Sequence, residues 1–163
     1  MPRCNMCESE PNGAGLSIRR MNEGDADALY GVLSDPEVMK CLEPPYSREA
    51  TVQFLHDAGM CEPPLVWAVD DARGRFIGYV IYHKYDEHSM ELGWVLARNE
   101  WGKGYAGTLN KMLIEQARKA GMDAVIECSP EQAATKAIAE KYGFTYCGRD
   151  SGCEVYRLKL RAE

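Results

Sequence analysis

The sequence predicts an α/β (α+β) fold with one mixed, mostly antiparallel sheet of about six to seven strands and helices on both faces. Two observations lead to this prediction. Apolar residues alternate with a period of two along short segments separated by turn-forming residues, which is typical of strands joined as hairpins. Amphipathic segments with helical spacing lie between them, and one joins two strands as a single β-α-β crossover. The predicted order is β-α-α-β-β-β-α-β-α-β-β.

The first half of the chain is predicted to contain a short strand followed by helices. Residues 16–20 alternate like a strand, and residues 22–25 then supply capping side chains for a helix through about Leu33. A short helical turn follows, in which Pro36 occupies a tolerated first position. Ser47 caps a further helix, which ends before Gly59.

The second half changes period and is predicted to contain most of the sheet. Clusters of Asp, Gly and Ser separate the strands and mark hairpin turns. The predicted elements are strands at 65–69, 76–85 and 90–96, a helix after a glycine-rich turn that ends near 121, a strand at 124–128, a helix at 130–142 and strands at 145–148 and 154–160.

Length and cysteine content indicate the organisation of the chain. Its 163 residues suit one domain with a proper core, which we place at residues 16–163 after a flexible tail at 1–15. The seven cysteines have irregular spacing, which favours reduced thiols in a cytoplasmic protein. Cys4 and Cys7 have the spacing of half a zinc site, but no second pair follows, so we expect no metal site.

Charge and hydropathy exclude several classes of partner. The net charge of −6 and the isoelectric point near 5.2 argue against nucleic acid, whose phosphates require basic surfaces. No apolar run reaches the roughly 18 residues of a membrane span, and the N-terminus carries no secretory signal. An acidic protein is compatible with an amine as its partner.

The most informative segment is 89–109, where a strand leads through a polar connection into a glycine-rich turn and a helix. Glycines let backbone N–H groups approach a ligand, and the positive end of the helix dipole favours phosphate. The segment also contains Gly102-x-Gly104-x-x-Gly107, and Glu127 follows at the spacing of a ribose-binding acid. The turn therefore predicts a phosphate-bearing cofactor, and a dinucleotide is one candidate for it.

Three features argue against a dinucleotide. Five residues separate the strand end at Leu96 from Gly102, whereas a dinucleotide fingerprint packs its first glycine directly against the strand. The two preceding strands form a hairpin, so the strand before the turn is not the first of a parallel sheet. Only 36 residues follow Glu127, which is too few to complete a dinucleotide-binding domain.

The segment Trp101-Gly-Lys-Gly-Tyr-Ala106 resembles the acetyl-CoA pyrophosphate loop of the Gcn5-related N-acetyltransferases (GNAT), in the variant of the ribosomal-protein-alanine N-acetyltransferases. The resemblance extends over most of the chain from Leu16. It includes the opening strand and helix start at 16–26, the helix at 33–40, and the last helix with its turn at 130–144. Four motifs in the order of the family indicate a GNAT-like fold.

This resemblance implies transfer of an acetyl group from acetyl-CoA to a primary amine by direct attack on the thioester. The acceptor would be a small molecule or a peptide N-terminus, and the protein a monomer or homodimer. The pantetheine arm would lie where the fourth and fifth strands separate. The residues implied to bind the cosubstrate are Val95 or Leu96 at the thioester oxygen, the loop of Trp101, Gly102, Lys103, Gly104, Tyr105, Ala106, Gly107 and Thr108, and Gln132 and Thr135 on the last helix.

Candidate catalytic residues follow from the need for a neutral amine. Glu91 precedes the thioester position on the same strand face and is the candidate base, although a solvated surface charge is an equal interpretation. Tyr142 is a weaker candidate acid, because the family's tyrosine position is Ala139 here. Glu43 and Glu62, each beside a proline pair, are weak candidates for contacts with a cationic acceptor.

A second hypothesis from another class fits the same residues. The family's tyrosine is replaced by Ala139, and Gln132 differs from the residue that the family has at its position. Both differences are compatible with a degenerate domain that binds acyl-CoA without turnover, as a sensor or interaction module.

Overall fold

The computed structural model describes residues 15–162, and its elements follow the predicted order. The strands are β1 (Ser17–Arg19), β2 (Val66–Asp70), β3 (Phe76–Asp86), β4 (Ser89–Leu96), β5 (Asp123–Cys128), β6 (Thr145–Asp150) and β7 (Cys153–Leu158). The helices are α1 (Ala26–Leu33), α2 (Pro36–Met39), α3 (Arg48–Phe54), α4 (Tyr105–Lys119) and α5 (Ala133–Lys141). The predicted tail and the Cys4–Cys7 pair lie outside the described residues, apart from Gly15.

The strands form one seven-stranded sheet in the order β1-β2-β3-β4-β5-β7-β6. The β4–β5 pair is parallel, and the other neighbouring pairs are antiparallel. This confirms the predicted mixed, mostly antiparallel sheet. The single parallel pair arises because α4 carries the chain from β4 across the sheet to β5.

Two apolar cores cover the two faces of the sheet. Helices α4 and α5 pack on one face, where Leu109, Leu113 and Ala139 meet the even-numbered residues of β4, such as Leu92. Helices α1 to α3 pack on the other face, with Leu29 and Leu55 near the odd-numbered Val95. The residues of β2, β3 and β4 alternate between these cores, as a pleated strand requires.

The strands β4 and β5 are paired over only part of their length. Their register joins Ser89 to Asp123, Met90 to Ala124 and Glu91 to Val125, and no pair follows Glu91. The remainder of β4, from Leu92 to Leu96, therefore has an edge without a strand partner on the β5 side. This separation creates the strand gap, a space between residues 92–96 of β4 and the chain beyond Val125.

The last helix begins later than the sequence predicts. It was expected from Pro130, but α5 starts at Ala133 because residues 129–132 form a turn. In that turn the amide of Ser129 donates to the side-chain oxygen of Gln132 at 2.8 Å. A local side-chain hydrogen bond of this kind competes with a helical start.

Two further findings concern the described part of the chain. Its five cysteines, at 41, 61, 128, 147 and 153, are all free thiols. Within residues 15–162, no helix combines the length and apolar content needed to cross a membrane.

Candidate functional site

A cleft of about 750 Å³ lies at the strand gap, which is a volume suited to a small-molecule ligand. Its walls are the end of β4, the start of α4 and one side of α5, and Val38 and Leu42 close it from the opposite face of the sheet. The cleft therefore passes from one face to the other. The residues expected from the sequence that line it are Val95, Leu96, Trp101, Gly102, Gly104, Tyr105, Ala106, Gly107, Thr108, Gln132, Thr135 and Tyr142.

The glycine turn gives this cleft a helix N-terminus. Gly102 and Gly104 have φ angles of +78° and +79°, which L side chains rarely adopt. The backbone amide of Thr108 donates the first helical hydrogen bond of α4, to the carbonyl of Gly104 at 3.3 Å. The amides of residues 105–107 precede that bond and point out of the helix end, as the first N–H groups of any helix do. A row of donors at the positive end of the dipole suits an anion.

Trp101 fixes the glycine turn to the end of β4. Its indole N–H donates to the carbonyl of Leu96 at 3.1 Å, while its side chain stays half exposed in the cleft. The tryptophan thus has a structural role that its position in the motif did not reveal.

Two cations near the glycine turn, Lys103 and Arg98, are held by carboxylates. Lys103 pairs with the buried Glu100 at 2.9 Å, and Arg98 pairs with Asp35 at 3.1 Å. Lys103 does not line the cleft, whereas Glu100 does. Lys141 lines the cleft from α5. The motif did not indicate Lys141. Its position one helical turn after Ile138, which also lines the cleft, would have placed it on the same side of α5.

Backbone hydrogen bonds determine which groups of β4 face the strand gap. In an antiparallel ladder, hydrogen-bonded and non-hydrogen-bonded residue pairs alternate. The amide of Ala97 donates to the carbonyl of Ile77 at 2.9 Å, and Val95 pairs with Tyr79 two residues further along. Val95 therefore also belongs to a hydrogen-bonded pair, and its amide points to β3. The amides of Trp94 and Leu96 point the other way, into the gap.

Helix α5 forms the wall opposite β4. The side-chain oxygen of Gln132 is taken by the Ser129 amide, which leaves its NH₂ group for the cleft. Tyr142 lies against α4, with its hydroxyl 3.4 Å from the position that a Cβ atom on Gly107 would occupy. Ala139, at the position of the family's tyrosine, is fully buried. The candidate acid Tyr142 is therefore beside the glycine turn.

Glu91 lies on the opposite face from α4 and α5, at the last paired position of β4 and β5. Its carboxylate is 3.0 Å from Nε2 of His83, its cross-strand neighbour on β3. The pKa of His83 is raised, mainly by this hydrogen bond to Glu91 and against the effect of burial. Glu91 does not line the cleft, and Gly93 is the only residue between it and Val95 on this strand face.

A second carboxylate lies next to this pair. Glu127 of β5 accepts a hydrogen bond of 2.6 Å from the hydroxyl of Tyr85, and that bond raises the pKa of Tyr85 to about 12. Within residues 15–162, no three His, Cys, Asp or Glu side chains are arranged to hold a metal ion.

The two weaker acceptor candidates are not brought together. Glu43 accepts a short hydrogen bond from Tyr46 in the loop after Leu42, next to the cleft. Glu62 instead pairs with Arg20 at 2.7 Å, directly after the edge strand β1. Three strands separate β1 from the strand gap, because β1 is the first and β4 the fourth strand of the sheet. Glu62 is thus remote from the cleft.

Comparison with known proteins places these features in a family. A family model described as an acetyltransferase (GNAT) domain matches residues 16–145. The uncharacterized N-acetyltransferase YnaD of Bacillus subtilis (strain 168) is 29% identical over 135 residues, and the match covers 78% of each chain.

Solved structures share the fold at low identity. RimL, a ribosomal L7/L12 alpha-N-protein acetyltransferase in complex with coenzyme A, has a TM-score of 0.79 at 17% identity over 96% of this chain and all (100%) of that chain. The spermidine N-acetyltransferase from Vibrio cholerae, in complex with CoA and spermine, has a TM-score of 0.73 at 20% identity over 90% of this chain and 94% of that one.

Proposed function

This chain belongs to the GNAT acetyltransferase family, and we propose that it transfers an acetyl group from acetyl-CoA to a primary amine. Acetyl-CoA supplies the activated acyl group, and the amine attacks its thioester carbonyl directly. The single observation that carries the proposal is the strand gap, because the glycine turn, the free β4 edge and α5 meet around one cleft.

The cleft fits the cosubstrate chemically. Phosphate requires converging N–H donors, which residues 105–107 offer at the start of α4. Pantetheine carries two amides, for which the N–H of Leu96 and the NH₂ of Gln132 are suitable partners. The carbonyl of Leu96 is occupied by Trp101, so it does not enter this set.

Trp94 is the best donor for the thioester oxygen. Its amide faces the strand gap and lies one ladder step further from the glycine turn than that of Leu96. A donor aimed at the oxygen stabilises the negative charge that develops there during attack. The resemblance implied Val95 or Leu96 for this role. Val95 is a poorer choice because its amide is directed at β3, and the amide of Leu96 is the one proposed above for pantetheine.

The acceptor amine would lose its proton on the sheet face that is opposite to α4 and α5. Amines are largely protonated at neutral pH, so one proton must be removed before nitrogen attacks. Glu91 is the carboxylate closest in sequence to Trp94 on β4, and Gly93 leaves the strand face between Glu91 and Val95 without a side chain. We assign Glu91 as the group that receives this proton.

The nature of the acceptor is a separate part of the proposal. Two relatives in fold act on, or bind, different amines, since one is a protein N-terminal acetyltransferase and the other holds spermine. Both classes of amine carry positive charge, which is compatible with the carboxylates Glu91 and Glu127 on the sheet face opposite α4 and α5.

The test is release of free thiol from acetyl-CoA with a panel of amines that includes spermine, aminoglycosides and peptides with free N-termini. We expect release with at least one acceptor, and a strong decrease in the Glu91→Gln variant with acetyl-CoA affinity retained. Tight acetyl-CoA binding without release for any acceptor would favour the alternative, a domain that binds acyl-CoA as a sensor. The buried Ala139 in place of a tyrosine is the observation that favours this alternative.

A further inference from the structure

The side chain of His83 is held between two oxygen acceptors. Its Nδ1 lies 3.0 Å from the backbone carbonyl of Lys84, and its Nε2 lies 3.0 Å from Oε2 of Glu91. A carbonyl and an ionised carboxylate accept hydrogen bonds and do not donate them. Both contacts are satisfied together only when both ring nitrogens carry a proton. The surroundings of His83 are therefore arranged for the imidazolium form.

The two contacts assign different roles to the two nitrogens. The carbonyl of Lys84 is fixed in the backbone of β3, so Nδ1 keeps its proton in either ionisation state. Nε2 is then the nitrogen that gains and loses a proton, and it faces Glu91. In a catalytic triad the titrating nitrogen of the histidine faces the reacting group, whereas Nε2 of His83 can exchange its proton only through Glu91.

The pair lies at the point where the strand gap begins. Glu91 is the last residue of β4 that pairs with β5, and His83 is its cross-strand partner. The next residue on this face is Gly93, which is partly exposed and whose Cβ position would lie 3.0 Å from the side chain of Ile81. Solvent therefore reaches the strand face between Glu91 and Val95.

Other titratable groups face the pair from neighbouring strands. Glu127 on β5 contributes to the raised pKa of His83, and its own carboxylate is held by Tyr85. Glu91 and Glu127 in turn raise the pKa of Cys153 on β7, after burial, as does Asp150 on β6. The surroundings of His83 are thus mainly acidic, with Arg157 over the ring of Tyr85 as a nearby cation.

We infer that His83 and Glu91 act as one proton acceptor, in which Glu91, on the strand that borders the gap, receives the proton and His83 behind it is a positioning residue that stores the proton through Glu91. The inference rests on the proposed function. When the imidazole is neutral and carries its proton on Nδ1, the ammonium of the acceptor loses one proton through Glu91 to Nε2. The pair then becomes imidazolium and carboxylate, joined by the Nε2–H···Oε2 hydrogen bond, and the neutral amine keeps its electron pair for attack. The proton later leaves to solvent. A carboxylate ordinarily titrates far below neutrality, whereas an imidazole ordinarily titrates close to it, so the imidazole is the group of the pair suited to hold the proton.

The inference predicts a pH-dependent effect of His83→Gln. Glutamine retains a donor for Glu91 but does not titrate. We expect the ratio of wild-type to variant kcat/KM, measured with one acceptor, to rise with pH and to reach roughly tenfold or more near pH 8. Near pH 6 the wild-type pair is already protonated, so we expect the two proteins to agree within about threefold. His88→Gln, in the exposed turn between β3 and β4, is the matched control and should give a ratio independent of pH.

A second readout follows the imidazole directly, without turnover. The NMR titration of the His83 ring should have its midpoint above about 6.5 in the wild type and move back toward that value in Glu91→Gln. A pH-independent rate ratio in an active enzyme would overturn the role of His83 and leave the proposed function intact. A wild type without transfer to any amine would overturn both, and an unmoved His83 titration in Glu91→Gln would refute the pair itself.

Discussion

At the scale of single residues, the negative charge of Glu100 next to the glycine turn opposes binding of the proposed phosphate ligand. Glu100 is buried beside the cleft, with only 8% of its side chain exposed, and a carboxylate there repels phosphate. Lys103 neutralises it at 2.9 Å. The lysine of the loop therefore contacts a protein carboxylate, whereas the resemblance implied only that it belongs to the residues that bind the cosubstrate.

Replacing this lysine should expose the unfavourable charge. We expect Lys103→Met to weaken acetyl-CoA binding by roughly tenfold, because Glu100 is left without its partner. Isothermal titration calorimetry measures the affinity. The double variant Glu100→Gln/Lys103→Met should recover most of the loss. A single variant that binds as the wild type does would contradict this account of the pair.

The pair of His83 and Glu91 also affects stability. Because its folded-state pKa is raised above the usual value near 6.5, His83 stabilises the fold fully below that pH. This contribution is lost as the pH rises through the folded-state pKa. The difference in free energy of unfolding between the wild type and His83→Gln, from urea titrations, should therefore shrink from pH 6 toward pH 9. A difference that grows over this range would refute the assignment.

At the scale of elements, the site depends on how the end of β4 is joined to α4. Trp101 provides this tie through its bond to the carbonyl of Leu96. The two positive-φ glycines then turn the chain so that the first amides of α4 face the same cleft. The strand edge and the helix end are thereby held in one orientation, as binding of a ligand by both requires.

Trp101→Phe tests this tie. Phenylalanine keeps an aromatic ring in the cleft but lacks the N–H donor, so the turn loses one hydrogen bond to β4. We expect the KM for acetyl-CoA to rise about threefold to tenfold with little change in kcat, which corresponds to a typical single hydrogen bond. Steady-state kinetics of thiol release provides the measurement. A change in kcat alone would show that the tryptophan acts elsewhere.

Much of the element order was predictable because strand and helix periods are local properties of the sequence. The strands at 65–69, 76–85 and 90–96 were placed within one residue at each end. The start of α5 was not, because the bond between the Ser129 amide and Gln132 competes with helical geometry and has no periodic signature. The loop residues that line the cleft followed from the motif itself.

Features that depend on register were beyond the sequence. The contact between His83 and Glu91 requires the cross-strand pairing of β3 and β4, which a bulge near Lys84 adjusts. The direction of the Val95 amide depends on the alternation of that same ladder, so periodicity alone could not choose between Val95 and its neighbours. Glu62 was misjudged because its partner Arg20 is 42 residues away in sequence.

At the scale of the whole molecule, a charge network far from the cleft joins the sheet edge to the first helix. Arg19 of β1 binds Asp70 of β2 at 2.7 Å and Asp25, at the start of α1, at 2.8 Å. Asp25 also accepts from the amide of Asn22 at 2.8 Å, which completes a capping box. The network thereby links the start of α1 to the edge of the sheet.

Removal of Arg19 should destabilise the fold without changing the cleft. Arg19→Met leaves two largely buried carboxylates without their cationic partner, and we expect the free energy of unfolding to fall by about 3 kcal/mol. Urea denaturation measures this loss. Arg118→Met, which breaks an exposed pair on α4, is the control and should cost at most about 0.5 kcal/mol. Equal losses in the two variants would argue against a structural role for the network.

The central claim is that the strand gap and the glycine turn hold acetyl-CoA, and calorimetric titration of Gly104→Glu with acetyl-CoA tests it most directly. Glutamate at this positive-φ position adds strain and a negative charge beside the proposed phosphate site. Gly74→Glu is the matched control, because Gly74 has a similar φ of +74° in the remote turn between β2 and β3. We expect Gly104→Glu to weaken binding by roughly tenfold or more and Gly74→Glu to bind as the wild type does. Unchanged affinity in Gly104→Glu would contradict the account.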